Sequence, residues 1–426
     1  MKIAINHVTI VTMTGEVIEN SSLYIEEDRI AGINILPKGF TADKTIDGKD
    51  GILLPGLVNA HSHAAMGLFR NYADDMKLKT WLEEKIWPIE DKLTAKDVYW
   101  GALLSIGEMI RSGVTAFADM YFFQEETARA VKESGIRANL CQGLISFTQG
   151  MEKIHDNIHL FKNYHDTCEG RLRISFGPHA PNTVEDDLFL EVVKYVKNLG
   201  STIQVHLSES WEENQESMEK YGCSPTVRLN RLGVFDVPCL AAHGVYLDKK
   251  DMEILKEKKV CVAHNPSSNL KLASGMAPIN ELIKTGVEVA LGTDGSASNN
   301  NQNLWEEMHL SSLIGKVQTM DPTAVNAHEV LKMATVNGAK ALGFYESGTI
   351  EIGKKADIII VSRDAFHHYP RFNIESELVY STQASDVDTV IVNGKILMEG
   401  GILTTLDEEK IKFMAEKTAK KLAGYE

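Results

Sequence analysis

No stretch of the 426 residues approaches the run of about 18 apolar residues that a membrane helix needs. The opening MKIAINHVTIVTMTG alternates polar and apolar residues without an uninterrupted hydrophobic segment, so no secretory signal is expected. Positive charge is in deficit: 44 Lys and Arg against 59 Asp and Glu leave a net charge of -15. That balance keeps a chain soluble and argues against nucleic-acid and anionic-membrane partners. Cysteine is sparse, and Cys141, Cys168, Cys223, Cys239 and Cys261 show no C-x-x-C spacing. A disulfide framework and a cysteine-built structural zinc site are therefore not expected, and reduced, mostly buried thiols in a cytoplasmic protein are expected. Short repeats and low-complexity segments are missing as well. What remains, 43% hydrophobic and 24% charged, is the composition of an ordinary globular chain.

Both ends of the chain read as short strands and turns. Ile3, Ile5, Val8, Ile10 and Val11 precede Thr14-Gly15; Leu23 to Ile25 and Ile30 to Ile35 follow. The texture returns at Ala356 to Val361 and at Asp388 to Val392, the latter ending in the turn-forming Asn393-Gly394. The middle alternates apolar strand-like runs with amphipathic helical runs, which is the signature of parallel β/α units. Counting strands from the one that carries His61 gives eight. The sequence therefore predicts a (β/α)8 TIM-type barrel over residues 56–350. A small β-sandwich is expected from residues 1–55 together with 351–426, the latter including a terminal helix.

The stretch ILLPGLVNAHSHAAMG (52–67) is the reference point. In an extended strand, residues two apart share a face, so His61 and His63 can meet one ion. Later predicted strands carry polar residues at the same end: His179 on the fourth, His206 on the fifth, His243 on the sixth and Asp294 on the eighth. Glu209 follows His206 by three. A barrel gathers such ends around one mouth. Imidazoles and carboxylates without thiolate suit zinc, with iron or manganese as alternatives. His264, in Ala263-His264-Asn265-Pro266, reads as a loop-shaping residue, and the other histidines, His367 and His368 among them, as surface or packing residues.

The segments PGLVNAHSH (55–63), GPHAP (177–181), VHLSE (205–209) and GTDG (292–295) resemble the amidohydrolase superfamily, in its branch of aminohydrolases acting on heterocycles. WPIE (87–90) and HNPSSNLKL (264–272) are similar to the 5-methylthioadenosine/S-adenosylhomocysteine deaminases within it. The resemblance covers nearly the whole chain. It implies one zinc ion per subunit on His61, His63, His206 and Asp294. It further implies Glu209 facing a ring nitrogen of the substrate, His243 beside the attacking water, His179 against the purine and Glu90 on the ribose hydroxyls. The expected partner is a small purine nucleoside, in a monomer or a homo-oligomer, with no nucleic acid or membrane.

The chemistry is coherent on its own terms. Zinc brings the pKa of water down to about 7. Attack on an amidine-like carbon requires protonation of the ring nitrogen, a task for a carboxyl such as Glu209. Asp294 can relay the water's proton toward departing ammonia, so Glu209, His243 and Asp294 form the expected catalytic set. One departure concerns the 5′ side. Gln142 stands where an arginine is expected to hold the homocysteine carboxylate, which shifts the expectation toward methylthioadenosine, adenosine or 5′-deoxyadenosine. Lys153, in the segment that follows, and Arg70, in the loop after the first barrel strand, are the alternative cations. Guanine, triazine or imidazolone hydrolysis is the competing enzymatic reading, and a metal-free binding protein the remaining one.

Overall fold

The computed structural model describes residues 1–148 and 150–425. Alternating apolar residues build β1 (Lys2–Val11), β2 (Val17–Glu26), β3 (Arg29–Ile33) and β4 (Lys44–Pro55) at the N-terminal end. The chain then turns into a parallel series, β5 (Leu57–His63), β6 (Val114–Tyr121) and β7 (Arg137–Leu144). The next strand is split into β8 (Leu172–Ile174) and β9 (Gly177–Pro178). After it come β10 (Ile203–Leu207), β11 (Cys239–His243) and β12 (Cys261–His264). The last parallel strand is again split, into β13 (Glu288–Leu291) and β14 (Asp294–Gly295).

Hydrogen bonding arranges these strands as two arcs, β14-β5-β6-β7-β8 and β10-β11-β12-β13. Backbone bonds join the arcs edge to edge. Gln204 N–H donates to the Phe176 carbonyl at 2.9 Å, Gly292 N–H to the His264 carbonyl at 2.9 Å and Thr293 N–H to the His61 carbonyl at 3.1 Å. The result is an α/β architecture of TIM type, with helices such as Ala95–Arg111, Gln124–Ser134 and Asp186–Leu199 between strands.

Two expected strands are shorter than the apolar patterning suggests. The fourth breaks after Ile174 and resumes at Gly177. The eighth stops at Leu291, because Gly292 and Thr293 turn their N–H groups to the two neighbouring strands. A side chain at Gly292 would put its Cβ 2.3 Å from Asn265 Oδ1 and 2.9 Å from the His61 Cβ. Only glycine lets the backbone pass there.

The apolar run 52–58 likewise proves to be two strands in two different sheets. Residues 52–55 end β4, which pairs with β1 and with β15 (Ile358–Val361), whereas Leu57 starts the parallel series. Gly56 is the joint: its N–H donates to the Asp357 carbonyl at 3.0 Å, and a Cβ there would fall 2.1 Å from the Thr115 side chain. Strands β16 (Val387–Val392), β17 (Lys395–Glu399) and β18 (Ile402–Leu403) complete one eight-stranded sheet, in the order β18-β17-β16-β15-β4-β1-β2-β3. The anticipated Asn393-Gly394 turn links β16 to β17, both residues having positive φ (52° and 69°).

The terminal helix, Glu408–Ala423, starts with the Asp407 side chain accepting the Lys410 N–H at 3.0 Å. It lays Ala415 and Leu422 against Ala65, Leu68 and Phe69 beyond the first barrel strand. Among the described residues no helix is long and apolar enough to cross a membrane. The five cysteines are free, and all but Cys168 are buried.

Candidate metal centre and active site

The C-terminal ends of the strands bring together the polar residues that the sequence singled out. His61 and His63 end β5, His206 lies one residue before the end of β10, His243 ends β11 and Asp294 opens β14. His61 Nε2 lies 3.5 Å and His63 Nε2 3.1 Å from Asp294 Oδ1, and the Nε2 atoms of His63 and His206 are 3.3 Å apart. The His61 and His243 rings are centred 5.5 Å apart. The backbone is left-handed at His243 (φ 75°) and at Asp294 (φ 62°), a strained conformation for residues other than glycine that turns both side chains away from the regular strand path.

The protonation pattern fits a cation. A carbonyl oxygen can only accept, so Nδ1 of His63, 2.6 Å from the Met120 carbonyl, and Nδ1 of His206, 2.7 Å from the His179 carbonyl, each carry the hydrogen. In the neutral ring both Nε2 lone pairs then point into the same space. His61 Nε2 is buried there with no hydrogen-bond partner. Burial drops the His61 pKa to about 4 and pulls His206 well below its ordinary value. At His63 burial also pulls downward, but the Asp294 carboxylate outweighs it and raises the imidazole to about 9. Asp294 itself is held far below the usual carboxylate range, because the imidazoles of His61 and His63 beside it overcome its burial. Positive charge is demanded at this point, and the ligand atoms that converge in two overlapping groups, His61 with His63 and His206, and His61 with His243 and Asp294, are of the kind that a divalent ion of zinc type takes.

Around this cluster stand residues that sequence reasoning missed. Ser268 and Ser298 donate to Asp294 Oδ2 at 2.6 and 2.8 Å, leaving Oδ1 to face the histidines. Asn269 Oδ1 accepts from His243 Nδ1 at 2.8 Å, which leaves His243 Nε2 3.9 Å from Glu209 Oε2. Glu213 braces the loop after β10 by accepting the N–H groups of Ser208 (2.9 Å) and Glu209 (2.8 Å). Tyr121, at the end of β6, donates to Glu90 Oε1 at 2.6 Å with its ring 6.4 Å from that of His63. Its place at a strand end was the available signal.

Glu90 therefore reaches the cluster through Tyr121, and burial raises its pKa to about 7. Burial also raises the Glu209 carboxyl. His179 packs 4.6 Å from the His206 ring with Nδ1 2.8 Å from Thr183 Oγ1, and burial together with the neighbouring His63 and His61 lowers it to about 3. Gln142 is buried at the end of β7, paired in register with Tyr121, and its N–H goes to Asn157 at 2.9 Å. Among the described residues no hydrogen bond ties its side chain to the histidines. Arg70 is taken up by a two-point pair with Glu108, and Lys153 lies over the Phe122 ring at 5.3 Å. Neither cation joins the cluster.

Comparison with known proteins agrees with this geometry. Residues 52–397 match the amidohydrolase family. The chain is 49% identical to a 5-methylthioadenosine/S-adenosylhomocysteine deaminase of Thermoanaerobacter pseudethanolicus, over 99% of each chain. It is 47% identical to a 5′-deoxyadenosine deaminase of Methanosarcina mazei, covering 96% of this chain and 94% of that one. A zinc-bound adenosine deaminase from Xanthomonas campestris superposes with a TM-score of 0.95 at 32% identity, over 99% of this chain and 98% of that one. With the strand-end histidines and aspartate in place, and half or more of the sequence matched, this chain belongs to the amidohydrolase family.

Proposed function

We propose that the protein is a zinc-dependent aminohydrolase that converts an adenosine-type nucleoside to its inosine analogue and ammonia. The observation that carries this reading is the juxtaposition at one barrel mouth of the His61, His63, His206 and Asp294 donor set with a buried Glu209 whose carboxyl burial raises. Its relatives named as methylthioadenosine/S-adenosylhomocysteine and 5′-deoxyadenosine deaminases support the substrate class.

His61, His63, His206 and Asp294 would hold the ion, which when bound supplies a nucleophile from water near neutral pH. Ser268 and Ser298 hold Oδ2 of Asp294 and leave Oδ1 toward the histidines, where the carboxylate would help to hold the ion and could take up a proton and pass it on. Glu209, whose carboxyl burial raises above its ordinary pKa, gives a proton to the purine nitrogen beside the reacting carbon. His243, oriented by Asn269, would offer Nε2 to the attacking water. His179 packs against the purine, and Glu90, held by Tyr121, takes the ribose hydroxyls. Gln142 is assigned to the 5′ side of the substrate.

The protein is further proposed to act in the cytoplasm on a small molecule, without nucleic acid or membrane, as a monomer or homo-oligomer. We divide it into a barrel over 56–350 and a terminal unit from 1–55 and 351–426. The apolar cluster of Ile3, Ile5, Leu23, Ile25, Leu53 and Ile358 supports reading the terminal sheet as folded over on itself in a sandwich.

An ammonia-release screen of the purified protein across nucleosides and free bases tests the reaction. Adenosine-type nucleosides are expected to lead; a preference for guanine, triazines or imidazolones would replace this reading with another of the family. Elemental analysis after dialysis is expected to find one retained divalent ion that His61→Ala loses. A second ion that disappears with it would mark a two-metal centre instead.

Two outcomes define the substrate more finely. Glu90→Ala is expected to reduce kcat/KM for adenosine more than for 2′-deoxyadenosine, because the lost carboxylate leaves a buried hydroxyl unpaired, at a cost of about 1–3 kcal/mol. Equal losses on both substrates would remove Glu90 from ribose recognition. On the 5′ side, Arg70 is engaged by Glu108 and Gln142 supplies no charge. A carboxylate buried without a cation costs several kcal/mol. Methylthioadenosine is therefore expected to outperform S-adenosylhomocysteine at both low and high salt. A homocysteine preference that weakens with salt would reveal a cation at that end, with Lys153 as the first candidate.

A further inference from the structure

A second group of ligand-type side chains lies away from the barrel mouth, on the terminal sheet. His367 and His368 sit on the short turn that follows β15, and Asp386 immediately precedes β16. Their ligand atoms converge: Asp386 Oδ2 is 2.7 Å from His367 Nε2 and 3.2 Å from His368 Nε2. The His368 side chain is fully buried, that of Asp386 nearly so, and that of His367 is one-third exposed (33%).

Two features of the surroundings point to a cation. His368 Nδ1 lies 2.9 Å from Glu377 Oε1, and Arg363 fixes Glu377 through Nε at 2.7 Å and Nη2 at 2.5 Å. The arginine keeps Glu377 an acceptor, so His368 Nδ1 carries a hydrogen and, in the neutral ring, Nε2 presents its lone pair to Asp386. This carboxylate–histidine arrangement is the one that orients metal-ligating imidazoles. Asp386 Oδ2 is also crowded, since it accepts the Gln383 N–H at 2.8 Å while facing both imidazole nitrogens. One lone pair goes to Gln383, and one remains for two histidines. A single cation shared by Oδ2 and both Nε2 atoms satisfies all three.

We propose that His367, His368 and Asp386 form a second divalent-cation site, of zinc, cobalt or nickel type, separate from the active site. The donors are two imidazole nitrogens and one carboxylate oxygen, with bond lengths of about 2.0–2.2 Å for zinc. The partly exposed His367 has room to withdraw the few tenths of an ångström that such bonds require. Water from the exposed side fills the remaining coordination. The ion would clamp the loop after β15 to the segment that leads into β16, and the only other occupant these contacts allow is a proton on His368.

Metal counting separates the two. Dialysed wild-type protein titrated with zinc, and in parallel with cobalt read by its visible absorption, is expected to take up one equivalent per chain beyond the active-site ion. His367→Ala is expected to lose that equivalent while keeping the active-site ion, its fold and its turnover. Because the bonds of His368 to Glu377 and of Glu377 to Arg363 survive, the variant is expected to fold, and His367→Gln serves as a second probe. His61→Ala is expected to lose only the active-site ion, so failure at one centre is distinguishable from failure at the other. If wild type and both His367 variants bind the same number of ions at saturating zinc, the cluster is a proton-bridged ion pair and the proposal is wrong.

Discussion

Glu209→Gln is expected to keep its metal and lose turnover by about 10²–10⁴-fold, the range for removal of a general acid–base group. Glutamine preserves size and hydrogen bonding but cannot deliver a proton to the purine ring. The position of the side chain should survive the change, because Glu213 holds the backbone on either side through the Ser208 and Glu209 N–H groups. His243 Nε2, 3.9 Å away, is anchored from its other nitrogen by Asn269. Burial raises the Glu209 carboxyl, so its acid form persists to higher pH than an exposed glutamate would allow. In the parent enzyme kcat/KM is therefore expected to fall as pH rises through that elevated pKa, a limb that the variant should lack. Steady-state kinetics of metal-replete protein across pH is the measurement. Activity within a few-fold of the parent, with the limb intact, would reduce Glu209 to a positioning residue.

The mouth of the barrel was legible because its chemistry sits at strand ends. His61 and His63, two apart on an apolar strand, share a face whatever the rest of the chain does. His206, His243 and Asp294 each end or follow a recognisable apolar run, and the barrel supplies the convergence. The supporting residues were not legible. Ser268 and Ser298 meet on Asp294 from short helices, Pro266–Lys271 and Ser296–Asn299, on two different β/α units, and nothing in a serine's local context marks such a contact. Tyr121 and Glu90 are separated by 31 positions, and their bond depends on how the loop after β5 folds back. The division of the 52–58 run into two sheets was equally hidden, since an apolar strand reads the same in either sheet. His367 and His368 gave no signal because their partners, Glu377 and Asp386, come from an irregular segment without periodicity.

Asp357→Ala is expected to destabilise the fold by about 3–5 kcal/mol, the cost of leaving a buried charge without its partner. Asp357 lies just before β15 and Arg137 begins β7, so their pair joins the terminal sheet to the barrel. Both side chains are only 3% exposed. The guanidinium meets the carboxylate at two points, Nε to Oδ2 at 2.6 Å and Nη2 to Oδ1 at 3.0 Å. Ser347 Oγ (2.5 Å) and the Asn393 N–H (2.7 Å) complete the acceptor's bonds. Burial by itself would raise the Asp357 pKa; the charge and hydrogen bonds of Arg137 reverse that and hold it below the ordinary value. The depressed pKa means that the pair's stabilisation is present above the unfolded carboxyl's pKa and is lost as pH falls through the folded one. Surface pairs such as Lys2–Glu26, with side chains 33% and 47% exposed, contribute about 0–1 kcal/mol and offer the control. Denaturant unfolding of parent, Asp357→Ala and the double variant Arg137→Met/Asp357→Ala measures the effect. The double variant should recover much of the loss, because an apolar side chain in that space carries no unpaired charge. A single-variant loss within about 1 kcal/mol, no larger than a surface pair contributes, would show that water or a neighbouring group takes over the guanidinium and that this contact does not hold the two parts together.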